Sequence, residues 1–131
     1  INKNELSNAI LANKSNLQKI VEIVHLEIRK KMNSFLKKNR KEKIIILDIP
    51  LLLENKINKK KDILVFVQSK KSDILKRLRM RTGFNVKLIN KFRNIQLPLD
   101  YKKKKSKFII KNNFTNKSVK NSIKKILKEI L

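Results

Sequence analysis

The chain has 131 residues, with 35 lysines and arginines against 10 aspartates and glutamates, a formal net charge of +25. That length allows one domain at most, with a single core. No apolar run approaches the eighteen or so residues a membrane span needs, and the lack of cysteine excludes disulfides and thiolate–metal sites.

No signal peptide is visible at the start, and the absence of cysteine is compatible with a reducing, cytoplasmic setting, which is the expected one. The charge invites a nucleic-acid partner. Two features argue against one: Lys, Ile and Asn make up about half of the chain, as AT-rich coding would produce, and lysines far outnumber arginines, whereas bidentate phosphate and base recognition favours Arg. Most of the charge reads as solvated surface.

The predicted elements alternate between helix and strand. Asn2 and Glu5 resemble a capping box, opening a short helix with Leu6, Ile10 and Leu11 that ends near Asn13. Asn13 or Ser15 caps a second helix to about Lys38, whose stripe of Leu17, Ile20, Val21, Val24, Ile28, Met32, Phe35 and Leu36 has the helical period. After a charged connector, Lys43 to Glu54 reads KIIILDIPLLLE, a continuous apolar run predicted as a strand buried on both faces and stopped by Pro50. Leu51 to Glu54 is predicted as a short helix or turn.

Asp62 introduces a second buried strand, Ile63 to Val67. Ser69 or Ser72 caps a third helix that ends at Thr82 and Gly83, the one glycine present. Asn85 caps a fourth helix, and Gln96, Pro98 and Asp100 mark a break before YKKKKSK. Lys107 to Lys111 is a third strand ending at Asn112 and Asn113, and Asn116 or Ser118 opens a C-terminal helix. This alternation predicts an α/β fold with a parallel sheet.

A few residues invite chemistry. Asp48 falls at the carboxyl end of the predicted strand, where α/β sheets collect ligands. It could hold Mg²⁺ or face a substrate hydroxyl, or only cap the following turn. Arg77 and Arg81 are four apart, one helical turn on a shared face, and suit a shared polyanion or plain solvation. His25, the single histidine, lies in the apolar stripe of the second helix, where a satisfied core or edge ring is commoner than a catalytic base. Asn112 could read an adenine edge or cap a turn. No G-x-x-x-x-G-K-[ST] loop occurs.

Taken together, these stretches resemble the dephospho-coenzyme A kinase family of P-loop kinases. INKNELSNAILAN is similar to its I-[ND]-R-x-x-L helix. IVEIVHLEIRKKM is similar to its His-Pro helix, with Leu26 in place of Pro. LDIPLLLEN resembles its D-x-P-L-L-x-E hallmark, LKRLRMR its x-x-R-x-x-x-R lid segment, and Gln96, Lys102 and IIKNN its later positions. Lys107 stands where the family usually has Asp.

The resemblance implies a partial P-loop NTPase fold of the nucleoside-monophosphate-kinase type: three layers, a parallel sheet with helices on both faces, and the N-terminal strand missing. It also implies ATP-dependent phosphorylation of the 3′-hydroxyl of dephospho-CoA, with ATP and Mg²⁺ as cofactors and no membrane or nucleic-acid partner. Arg81, supported by Arg77, would clamp the ATP phosphates, and Asn112 would lie by the adenine. Asp48 would lie near Mg²⁺ or the acceptor, with His25 and Glu54 on the dephospho-CoA side.

On this resemblance, residues 1–40 form a helical CoA-side subdomain, 41–68 with 106–131 the core, and 69–105 the lid. The chain is then expected to be a C-terminal fragment, inactive alone. An unpaired strand edge would leave it unstable or aggregation-prone. The competing expectation is a basic RNA- or ribosome-associated binding module, which calls for aromatic or Arg interleaving rather than lysine runs and a single Tyr.

Overall fold

A computed structural model describes residues 2–131, Lys14 by its backbone alone. Ile1, the first residue of the INKNEL motif, lies outside the described residues. The chain divides into two compact units, Ile1–Ile57 with Val86–Asn94, and Asn58–Asn85 with Ile95–Leu131.

The first unit is helical. Helix α1 (Lys3–Ala12) starts where expected, because Asn2 Oδ1 accepts from the backbone N–H of Asn4 and Glu5. Asn2 Nδ2 donates to Glu5 Oε1 at 3.0 Å, a side-chain variant of the reciprocal box. Asn13 closes α1 and opens α2 (Lys14–Lys38). Its N–H donates to Ala9 O, and its Oδ1 accepts from Ser15 N at 2.9 Å.

Ile10 and Leu17, 5% and 6% exposed, are buried where α1 meets α2. Helix α4 (Val86–Asn94) packs on α1, and Lys91 Nζ donates to the carbonyls of Ile10 and Leu11 at 2.6 and 2.9 Å. A cation thus covers the negative end of α1. Leu26, where the family usually has Pro, lies within α2, which runs unbroken because no ring displaces a backbone N–H.

The predicted strand over Ile44–Leu47 does not form. Residues 44–49 carry no ladder, and Ile46 is 85% exposed. A strand exists only through its partner, and among the described residues the β1–β2 pair is the one ladder. The apolar run therefore records a propensity that has no neighbour to satisfy it. Leu51–Lys56 is instead a single closed turn. Asn55 N donates to Leu51 O, Ile57 N to Leu52 O and Lys56 N to Leu53 O. The last two bonds are those of a Schellman closure, with Lys56 left-handed at φ 49° and Ile57 buried after it.

The second unit holds the sheet. Strand β1 (Val65–Gln68) pairs in parallel with β2 (Phe108–Lys111) in the register Val65↔Phe108 to Gln68↔Lys111. Bonds from Lys107 N to Leu64 O and from Asn112 N to Gln68 O extend the ladder at each end. Helix α6 (Asn116–Ile130) packs on β2. The α/β class and the parallel pairing are as expected.

Three details differ. Helix α3 (Lys71–Arg79) starts after Lys70 with no side-chain cap, so neither Ser69 nor Ser72 serves. It also stops before Arg81, whose N–H bonds Leu78 O three residues back, tightening the chain into a bend that Gly83 completes at φ 78°. Arg77 and Arg81 therefore do not share a helix face. Helix α5 (Leu99–Lys105) carries Asp100 and the lysine run, for which no helix was expected; it begins after Pro98, an N-cap at ψ 138° with no side-chain cap. Among the described residues, no helix is long and apolar enough to cross a membrane.

Candidate functional site

The expected site residues fall into two groups, one in each unit. In the first unit, α2 and the segment after it form a cleft of about 280 Å³ lined by Ile28, Met32, Phe35 and Lys31 from α2, and by Ile46 to Ile49. The α2 residues lie at helical spacing, so one face supplies the wall. Asp48 is exposed there, the one carboxylate of a lining that also holds the Lys31 ammonium. It lies in a segment without ladder pairing, not at a strand end.

His25, half-buried, lies on α2 one turn before Arg29. Both reach the closed turn after Pro50. Asn55 Nδ2 lies 3.0 Å from His25 Nε2 and donates to Leu51 O at 2.7 Å, and Arg29 Nη2 donates to Asn55 O at 3.0 Å. Two side chains of α2 thus hold one residue of the LDIPLLLEN motif. Glu54 is half-buried within the same turn. The sequence reading passed over Asn55 and Arg29. The available signal was Asn55 as the last letter of that motif.

In the second unit, the Arg77 guanidinium lies 4.0 Å from the centroid of the Phe114 ring, which joins α3 to the β2–α6 loop. Stacking uses the face of the guanidinium and leaves its in-plane N–H donors for other partners. Phe114 is left-handed at φ 62°.

That loop is held by its own side chains. Asn112 Oδ1 accepts from Phe114 N at 2.8 Å. Asn113 Oδ1 accepts from Thr115 N and Oγ1 and from Ser118 Oγ. Asn112 therefore closes an Asx turn with its oxygen. Arg81 is exposed on the bend beyond α3. Lys107 Nζ lies 3.7 Å from Glu129 Oε1, so the base found in place of an acid has an acidic partner on α6. Among the described residues, no three His, Cys, Asp or Glu side chains gather as a metal cluster.

A family model for dephospho-CoA kinase matches residues 1–118 of the chain. The chain belongs to the dephospho-CoA kinase family. Relatives with that name include one from Wolbachia pipientis wMel, 32% identical over 129 residues, covering 97% of this chain and 66% of that protein. One from Bartonella quintana is 30% identical over 124 residues, covering 93% and 62%. One from Fusobacterium nucleatum subsp. nucleatum is 32% identical over 115 residues, covering 86% and 58%. The chain spans a little under two thirds of the length of these relatives. The dephospho-CoA kinase match covers every motif quoted from the sequence, and it ends within α6.

Proposed function

We propose that the full-length protein transfers the γ-phosphoryl group of ATP to the 3′-hydroxyl of dephospho-CoA, completing coenzyme A. The observation that carries this reading is the family match across residues 1–118. Phosphoryl transfer asks a protein chiefly to position two substrates and to neutralise developing charge, and the two groups of residues suit those tasks.

Arg81 and Arg77 are the charge-neutralising pair. Arg77 is steadied by Phe114, and Arg81 sits on a bend whose glycine lets the backbone turn. In this reading residues 69–105 are the lid, and Asn112, in the loop that follows β2, borders the adenine. Residues 1–40 form the CoA-side subdomain, and His25, Asp48 and Glu54 face the acceptor.

The donor set is compatible with Mg²⁺. That ion is usually held by one or two carboxylates together with substrate phosphates and water, and Asp48 offers one exposed carboxylate beside a cleft. Asp48 would be its protein ligand, and the ion would supply further neutralisation of the phosphates. None of the 131 residues forms a Walker A loop, so the activity is assigned to the full-length protein rather than to these residues alone. The protein is proposed to work in the cytoplasm on small molecules.

The test is ATP-dependent phosphorylation of dephospho-CoA by the full-length protein and by its Arg81→Ala variant. Removing a phosphate-neutralising arginine should lower kcat by at least about a hundredfold. Unchanged turnover would remove Arg81 from the mechanism. Tight, sequence-selective RNA binding at moderate salt would instead favour the binding-module reading.

A further inference from the structure

Donor and acceptor arithmetic at Asn55 determines the protonation of a neighbouring ring. Asn55 Nδ2 lies 2.7 Å from Leu51 O. A carbonyl oxygen offers only lone pairs, so the amide atom facing it must be the nitrogen; the reversed amide would set oxygen against oxygen. One amide hydrogen is thereby engaged. The same nitrogen lies 3.0 Å from His25 Nε2 and directs its second hydrogen there. Nε2 must then carry a lone pair, so the ring is neutral with its proton on Nδ1.

Asn55 itself has little freedom to adjust. Its N–H donates to Leu51 O at 3.1 Å, and its carbonyl accepts from Arg29 Nη2 at 3.0 Å. Both ring and amide are half-buried.

We propose that Asn55 is a positioning residue that holds His25 in the Nδ1–H tautomer, so that His25 meets dephospho-CoA as a hydrogen-bond donor. The inference rests on the kinase reading above. Dephospho-CoA is rich in acceptor oxygens from phosphate, amide and hydroxyl groups, and a bare Nδ1 would set a lone pair against them. The clamp also ties the LDIPLLLEN turn to α2, so ring chemistry and loop position depend on one residue.

The experiment uses the full-length protein labelled with ¹⁵N-histidine. The His25 signal is assigned by its loss in His25→Gln, and two-bond ¹H–¹⁵N spectra report which nitrogen is protonated. The wild type should show a protonated Nδ1 and a bare Nε2. Asn55→Ala should move the ring toward Nε2–H and raise KM for dephospho-CoA about tenfold, leaving kcat and KM for ATP within about twofold. His25→Leu should match Asn55→Ala.

A wild-type ring protonated on Nε2 would overturn the proposal, as would an unchanged KM in Asn55→Ala. The spectrum reads the clamp without turnover. An Nδ1–H ring in a protein that transfers no phosphate to dephospho-CoA would support the clamp and overturn the kinase reading alone.

Discussion

Arg77 keeps its expected place on α3 while losing its expected geometry. Spacing alone suggested that it shares a helix face with Arg81, but the chain leaves the helix at Met80, and Arg77 turns to the Phe114 ring instead. A partner 37 positions away cannot be read from local spacing, so this part of the site was hidden. The stack is worth about 0.5–1 kcal/mol at an exposed site, enough to hold one rotamer of a long side chain. Phe114→Leu should therefore raise KM for ATP about two- to fivefold, with kcat little changed. Steady-state kinetics at saturating dephospho-CoA reads this, and an unchanged KM for ATP would detach the ring from the site.

At the scale of elements, the features set by local chemistry were legible. Asn2 and Asn13 cap the helices they were expected to cap, because a short side-chain acceptor meets the first free N–H groups without help from afar. Strand β2 and helix α6 lie where their apolar patterns put them. The apolar run at Ile44–Leu47 misled, since its pattern specifies a buried strand but not the neighbour that would complete it.

The turn that follows has its own weak point. Lys56 occupies the left-handed closing position that favours glycine, at a cost of about 1–2 kcal/mol for a residue with a Cβ. Glycine there loses more entropy on folding, which offsets part of that gain. Lys56→Gly should raise the stability of the full-length protein by about 1 kcal/mol, seen as a higher denaturant midpoint with unchanged m-value. A lower midpoint would mean that the Lys56 side chain, not its backbone, matters.

At the scale of the whole molecule, burial is sparse. Among the described residues only Ile10, Leu17 and Ile57 are apolar and buried, all in the first unit, while Ile44, Ile46, Ile63, Val65 and Val67 are substantially exposed. Such residues have the composition of sheet core and the exposure of surface. With a net charge of +25 opposing compaction, residues 1–131 on their own should show no cooperative thermal melt and should self-associate. A sharp melt of a monomer would contradict that.

The family was legible because its motifs are short and keep their order. The contact of His25 with Asn55, 30 positions apart, was not, because no local pattern encodes it. The most direct measurement follows the phosphorus: ³¹P NMR of the full-length protein incubated with ATP, Mg²⁺ and dephospho-CoA. The expected result is a new 3′-phosphomonoester signal on dephospho-CoA, growing as the ATP γ signal falls, and slowed at least about a hundredfold in Arg81→Ala. ATP loss with no phosphomonoester on dephospho-CoA, or no ATP loss at all, would contradict the account.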